Sequence, residues 1–242
     1  MIEKKINNYS LFIFRDADQL SKKLSEFICS DIKSLLVNKK RYQICVCGGS
    51  SPKLVYDSLS NKILNWERVD VFLGDERCVD PSSIDSNSRM LKESLLQNNA
   101  SAAFFYEIFN TNKIDEEISK QMFLNKLKEK CNGDPPVFDL TLLGLGDDGH
   151  TASLFPDNKD NMSDDLIIYS YGKGIKRISL TPKILSSSSK IIFLISGRSK
   201  NKALKRLLDE KESFNRTPAK LIKSNSEILI FCDEEASSEL II

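Results

Sequence analysis

The sequence predicts an α/β fold built on a mostly parallel sheet with helices on both faces. Three observations carry that prediction. Short apolar runs of strand length alternate along the chain with stretches whose apolar residues recur at helical spacing. Four polar, glycine-containing loops follow the ends of such runs: Gly48-Gly49-Ser50-Ser51-Pro52, Gly74-Asp75-Glu76-Arg77, the stretch from Gly144 to His150, and Ser196-Gly197-Arg198-Ser199-Lys200. No internal repeat, low-complexity block or domain boundary interrupts the pattern, so residues 1–242 are expected to form a single domain. In open α/β sheets ligands bind outside the carboxyl ends of the strands, and four such loops on one rim mark a site better than any one alone.

In chain order, Leu11 to Phe14 is the first expected strand, after a polar start. Leu20, Leu24, Phe27, Ile28, Ile32, Leu35 and Leu36 then place an amphipathic helix over Asp16 to Val37, capped by Asp16 or Asp18. Tyr42 to Cys47 is a strand running into GGSSP. The next helix passes through Leu54, Val55, Tyr56 and Leu59, and Pro52 suits its first turn because a missing N–H costs nothing there. Val69 to Leu73 is the next strand, and a long loop leads from it to a helix over Ser86 to Leu96. Phe104 to Phe109 reads as a strand. Ile114 to Cys131 reads as a charged amphipathic helix with Ile118, Met122, Phe123 and Leu127 inward. Phe138 to Leu143 is a buried strand whose glycine-rich loop turns into a short helix. Leu166 to Tyr171 and Arg177 to Leu180 come next as strands, and Thr181 to Leu185 as a capped single turn. Lys190 to Ile195 is a strand, and Ser199 to Asp209 a helix with Ala203, Leu204, Leu207 and Leu208 on one face. Glu227 to Cys232 is the last strand.

Composition narrows the function. The 242 residues are 40% hydrophobic and 29% charged, an ordinary balance for a soluble globular protein. A formal net charge of +1 lacks the basic surplus of a nucleic-acid binder, while a small anionic substrate needs only a local cluster of cations. Cys29, Cys45, Cys47, Cys78, Cys131 and Cys232 form no CxxC pair, and one histidine leaves little for a zinc site. They read as buried free thiols in a reducing compartment. The start MIEKKINNYS lacks the apolar core of a signal peptide, and no run approaches the ~20 apolar residues that span a bilayer. We therefore expect a cytoplasmic protein with no membrane or nucleic-acid partner, a monomer or weak homo-oligomer.

The candidate site residues sit in the strand-end loops. His150 is the only histidine and lies just past a strand end, where an imidazole can take a proton from water near neutral pH and return it to a leaving group. Asp148 is near enough in sequence to orient it, or it is a turn or capping carboxylate. The loop matches GxGxxG literally. Its two carboxylates would repel a pyrophosphate, and Pro156 arrives too soon for a long helix, so the glycines are better explained by a sharp turn. Gly48, Gly49, Ser50 and Ser51 open a helix and make an anion cradle of N–H and hydroxyl donors, with a plain capping turn as the alternative. Arg77 can grip a phosphate bidentately and Asp75 can accept sugar hydroxyls. Asn87, Arg177 and Lys200 are weaker candidates, because a charged residue beside a strand is usually just solvated.

GGSSPKLVY, GDERCVDPSSIDSNSRM, DLTLLGLGDDGHTASLFP, RISLTP and SGRSK, in that order, resemble the successive motifs of the 6-phosphogluconolactonase family, and CDEEA resembles its ending. Ser51 stands where that family commonly has threonine. The resemblance implies a Rossmann-like α/β fold similar to that of the glucosamine-6-phosphate deaminases and ribose-5-phosphate isomerases. It implies hydrolysis of 6-phospho-D-glucono-1,5-lactone to 6-phosphogluconate, with no metal and no organic cofactor. His150 falls on the family's catalytic histidine, Asp75 and Arg77 on its substrate-binding pair, Arg177 and Lys200 on its basic positions, and GGSSP on its glycine–serine loop. Two rival functions are a deaminase or isomerase of amino-sugar phosphates and a non-catalytic sugar-phosphate sensor. The first would be expected to continue with a stretch like IAFNEP, which supplies a glutamate, where this chain has TASLFP. The second needs a DNA-reading element that the sequence does not display.

Overall fold

The computed structural model describes residues 1–108, 115–224 and 226–240. The chain opens with a hairpin, β1 (Ile2–Ile6) and β2 (Tyr9–Phe14), followed by α1 (Ala17–Leu36), β3 (Tyr42–Val46) and α2 (Ser51–Ser60). Then come β4 (Val69–Leu73), β5 (Asp75–Arg77), α3 (Asn87–Glu93), β6 (Phe104–Tyr106), α4 (Glu116–Lys130) and β7 (Leu140–Gly144). A second hairpin, β8 (Ile167–Gly172) and β9 (Ile175–Leu180), precedes α5 (Pro182–Leu185), β10 (Ile191–Ile195), α6 (Asn201–Leu208) and β11 (Ile228–Asp233).

Eight strands form the main sheet in the order β1-β2-β11-β10-β7-β3-β4-β6. Every neighbouring pair is parallel except β1 with β2. β3, β4 and β10 are buried at every position, which is why they read as near-continuous apolar runs. From β3 the chain moves through α2 to β4 on one side, and from β7 it moves to β10 on the other. The loops leaving β3 and β7 therefore diverge and open a crevice between them, as at a topological switch point.

α1 matches its sequence pattern. Leu20, Leu24, Ile28 and Ile32 are buried, and the Asp16 carboxylate accepts from the Gln19 N–H at 2.8 Å to cap the first turn. Other elements depart from expectation. β1 lies in the supposed polar start, its Lys4 and Lys5 on an edge strand where charge discourages further pairing. Asp75–Arg77 is a strand of a second, antiparallel sheet, β5-β9-β8, instead of a loop. Gly74 makes that switch: its N–H still pairs with Val46 of the main sheet, while its carbonyl accepts from Leu180 of the small one. In α4 only Phe123 and Leu127 point inward as expected; Ile118 and Met122 are more than half exposed. After β7 there is no helix but a pair of turns closed by a Thr151–Leu154 bridge. Thr181 does not cap α5 with its side chain; its hydroxyl donates to the Asp165 carbonyl. Phe109 and Ile114, at the ends of two expected elements, lie outside the described residues. Four cysteines are buried, whereas Cys29 and Cys78 are partly exposed. Among the described residues, no helix is long and apolar enough to cross a membrane.

One buried charge ties the amino ends of the central strands. Asp70, fully buried in β4, accepts from Arg41 Nε and Nη2 at 2.8 and 2.7 Å and from Gln43 Nε2 at 3.1 Å. Removing one partner leaves the other desolvated and underpaired. Arg41→Met is therefore expected to lower unfolding free energy by about 3 kcal/mol, read as a lower urea midpoint with an unchanged denaturant slope.

Candidate active site

The loop after β7 folds back on itself. Gly146 N–H donates to the His150 carbonyl at 2.8 Å, Gly149 N–H to the Gly146 carbonyl at 3.0 Å, and Thr151 Oγ1 to the Gly144 carbonyl at 2.8 Å. Inside this turn Asp148 Oδ1 accepts twice from His150, from its backbone N–H at 3.0 Å and from ring Nδ1 at 2.5 Å. The question left open by the sequence, whether Asp148 reaches His150, is answered by that contact. Two of the glycines have distinct reasons. A Cβ on Gly146 would sit 2.0 Å from His150 Nδ1 and 2.6 Å from Asp148 Oδ1. Gly149 adopts φ +96°, in the left-handed region open to glycine.

An acceptor at Nδ1 fixes the tautomer of the neutral ring. The proton sits on Nδ1, and Nε2 presents its lone pair. Burial works to raise the Asp148 carboxyl, but the hydrogen bonds from the His150 ring and N–H, with the imidazole's charge, outweigh it and hold the group well below the usual carboxylate range.

Facing this loop are β5 and β9, whose register places Arg77 directly opposite Arg177. Arg77 donates to the Asp85 carbonyl at 2.5 Å, while its Nε is buried without a partner among the described residues. Arg177 is buried; its Nε donates to the Gly172 carbonyl at 3.3 Å, and Asp75 stands off at 3.8 Å. Burial, followed by repulsion from Arg77, pushes the Arg177 guanidinium below its ordinary pKa. Asp75 is buried, accepting from Ser153 Oγ at 2.5 Å and from Asn87 Nδ2 at 3.3 Å. Asn87 also donates to the Asp75 carbonyl at 2.9 Å and packs on Gly48, where a Cβ would lie 1.9 Å from its Oδ1. Glu76 points elsewhere: it accepts the backbone N–H groups of Arg77, Asn87 and Ser88 and so anchors the start of α3.

The glycine–serine loop opens α2 with Gly49 at φ +108°. Ser50 makes no side-chain capping bond, Pro52 has no N–H and Lys53 N–H donates to the Ser50 carbonyl at 3.3 Å, so any anion cradle here is made by the Gly48–Ser51 loop itself. Lys200 enters from the end of β10. Burial lowers its pKa, with Lys173 adding to that and Asp147 and Asp148 opposing it.

Every candidate residue named from the sequence lines one cleft of about 200 Å³, except Asp148, which stands behind His150. The structure also adds residues that sequence reasoning missed. Lys173 lines the cleft from the tip of the β8–β9 hairpin and pairs with Asp147 at 3.1 Å. The Gly-Lys-Gly tip between two strand-like runs is the signal that could have found it. Ser153 holds Asp75 from within the TASLFP stretch. Cys47 is also part of the cleft lining, but burial pushes its thiol up to about 12, which removes it as a nucleophile. Among the described residues, no group of three or more His, Cys, Asp or Glu is placed to hold a metal ion.

The family model for glucosamine-6-phosphate isomerases/6-phosphogluconolactonase matches residues 15–231. The chain belongs to this family. It is 32% identical over 217 residues to a 6-phosphogluconolactonase of Synechocystis sp., covering 88% of this chain and 90% of that protein. A probable 6-phosphogluconolactonase of Dictyostelium discoideum is 30% identical over 243 residues, 97% of this chain and all of that one. The crystal structure of a 6-phosphogluconolactonase from Shewanella baltica superposes with a TM-score of 0.84 at 26% identity, over 96% of this chain and 99% of the other. A monomeric glucosamine-6-phosphate deaminase shares the fold, with a TM-score of 0.77 at 19% identity over 94% of this chain and 98% of the other. A lactonase and a deaminase thus share this fold, so the fold alone does not separate the two activities.

Because the chain has one histidine, its imidazole gives a single set of nitrogen resonances. In the neutral ring the proton is expected on Nδ1 in the wild type. Gly146→Ala, whose Cβ collides with ring and carboxylate, is expected to abolish that tautomer preference while far-ultraviolet circular dichroism stays unchanged.

Proposed function

We propose that this chain hydrolyses 6-phospho-D-glucono-1,5-lactone to 6-phospho-D-gluconate, with His150 as general base and Asp148 as its orienting partner. The observation that carries the proposal is the Asp148–His150 pair bordering a cleft that is also lined by the Gly48–Ser51 loop at the start of α2 and by Arg77, Lys173, Arg177 and Lys200. The substrate's phosphate carries a charge near −2, and it is held by the Gly48–Ser51 loop together with the cationic wall of Arg77, Arg177 and Lys200.

His150 Nε2 takes a proton from a water positioned at C1, and the water oxygen adds to the carbonyl carbon. The resulting oxyanion is stabilised by a nearby backbone N–H or cation. Asp148, held as a carboxylate, supports the imidazolium formed in this step. The imidazolium then gives its proton to the ring oxygen as the C1–O bond breaks, and the new carboxylic acid ionises. One residue serves in both proton transfers, and no covalent serine intermediate is needed. Asp75, buried and already bound by Ser153 and Asn87, is placed to accept a sugar hydroxyl rather than to react.

The deaminase alternative is disfavoured by the six residues after His150. Thr151 to Pro156 contribute hydroxyls and a phenyl ring but no carboxylate. Ammonia released from glucosamine 6-phosphate faster than lactone is consumed would overturn the choice, and a wild type without lactonase activity would favour a sensor.

Lactone disappearance, corrected for spontaneous hydrolysis, is expected to fall by about 10²–10⁴-fold in His150→Ala; an unchanged rate rules out His150 as the base. Arg177→Gln and Lys200→Gln are each expected to raise KM by roughly tenfold or more, the scale of a lost charge-assisted hydrogen bond, with a smaller change in kcat. Steady-state kinetics of the two variants would show which cation contributes more to holding the phosphate.

A further inference from the structure

Phe155 is not among the residues that line the cleft, yet it touches two side chains that do. Its ring lies 4.7 Å from the His150 ring, centroid to centroid, at an interplanar angle of 34°. The Arg177 guanidinium carbon sits over the same ring, 5.3 Å from its centroid. A further side of the ring meets Gly172, where an added Cβ would come within 2.2 Å of the phenyl edge. Gly172 has no left-handed backbone to explain it, so the space it leaves is space for Phe155. Its carbonyl also accepts from Arg177 Nε at 3.3 Å, which brings ring, guanidinium and hairpin end together at one point. The main chain of Phe155 is fixed in turn by Asn161 Nδ2, which donates to its carbonyl at 2.7 Å. Arg177 otherwise has little company: Asp75 stands 3.8 Å away, and Arg77, opposite in register, repels it. An aromatic face is a favourable neighbour for a cation removed from water.

We propose that Phe155 is a positioning residue that couples the anion-binding guanidinium of Arg177 to the imidazole of His150. One buried ring rests against both, so an anion that draws Arg177 into a new position moves the ring, and the ring moves the imidazole. The proposal rests on His150 as base and Arg177 as part of the anion wall, and it assigns to Phe155 a role that requires no contact with substrate.

The test tracks the imidazole resonances of the single histidine while inorganic phosphate is added, alongside phosphate binding by calorimetry and lactonase kinetics. In the wild type, phosphate is expected to shift the imidazole resonances. In Phe155→Leu, phosphate still binds, up to about tenfold more weakly as expected for a lost cation–π contact. At saturation the imidazole shift falls to less than about a third of the wild-type value, kcat drops and KM rises together by several-fold. Gly172→Ala, which keeps Phe155 but pushes its ring, is expected to reproduce these changes, so the proposal remains testable if the leucine variant does not fold. A ring with only a structural role would alter stability and leave the phosphate response of the imidazole intact. A wild type whose imidazole ignores bound phosphate, or variants whose response at saturation matches the wild type, would overturn the coupling. The resonance measurement needs no turnover, so a wild type without lactonase activity would overturn the proposed function while the imidazole response still decides the role of Phe155.

Discussion

The parallel pairing of β7 with β3 on one side and β10 on the other is the interaction on which the cleft depends. Parallel strands end on the same rim, so their carboxyl-end loops are forced into company whatever their sequences. Here that rim receives the glycine–serine loop of β3, the start of β5 after β4, the histidine loop of β7 and the lysine of β10. The small sheet finishes the enclosure. Gly74 is bonded to both sheets, which fixes the height at which Asp75, Arg77 and, across the register, Arg177 face His150.

The electrostatics of the cleft are lopsided in a way that suits an anion. Arg77 and Arg177 are paired with each other by register, and among the described residues neither has a carboxylate within close hydrogen-bonding distance. Keeping the buried Arg177 guanidinium beside the partly exposed Arg77 is costly, and an anion lodged between them relieves both the desolvation and the mutual repulsion. The carboxylates nearby are already engaged. Asp148 belongs to His150, Asp75 to Ser153 and Asn87, and Glu76 to the start of α3. Negative charge in the site is therefore tied up locally, while much of the positive charge stays available.

Much of this was legible in the sequence because burial writes itself into composition. β4 spans Val69 to Leu73 as its apolar run indicates, and α1 tracks its periodic leucines and isoleucines. The residues that line the cleft were legible for a different reason: polar residues and glycines at strand ends have few structural causes. What stayed hidden depended on tertiary partners. Asp-Glu-Arg does not look like a strand until β9 lies beside it, and an edge strand such as β1 can carry lysines because one of its sides is open to water. Ile118 and Met122 fit a helical stripe, but in α4 the inward face is set by Phe123 and Leu127. In the sequence Phe155 is one letter of the TASLFP string; its position between His150 and Arg177 comes from the hairpin that folds over it.

The seam between the two ends of the chain has a consequence for the order of assembly. β2 pairs with β1 and, on its other edge, with β11, so Tyr9 lies beside Ile228 in the register. An isolated two-stranded hairpin is marginal in water. During synthesis β2 emerges before β11 and gains that second neighbour only when β11 follows, while β3, β4 and β7 can already pair among themselves. The topology thus orders the pairing: β11 borders β10 on one edge and offers β2 the other, so the contact that joins the β1–β2 hairpin to the sheet needs a strand made much later in the chain.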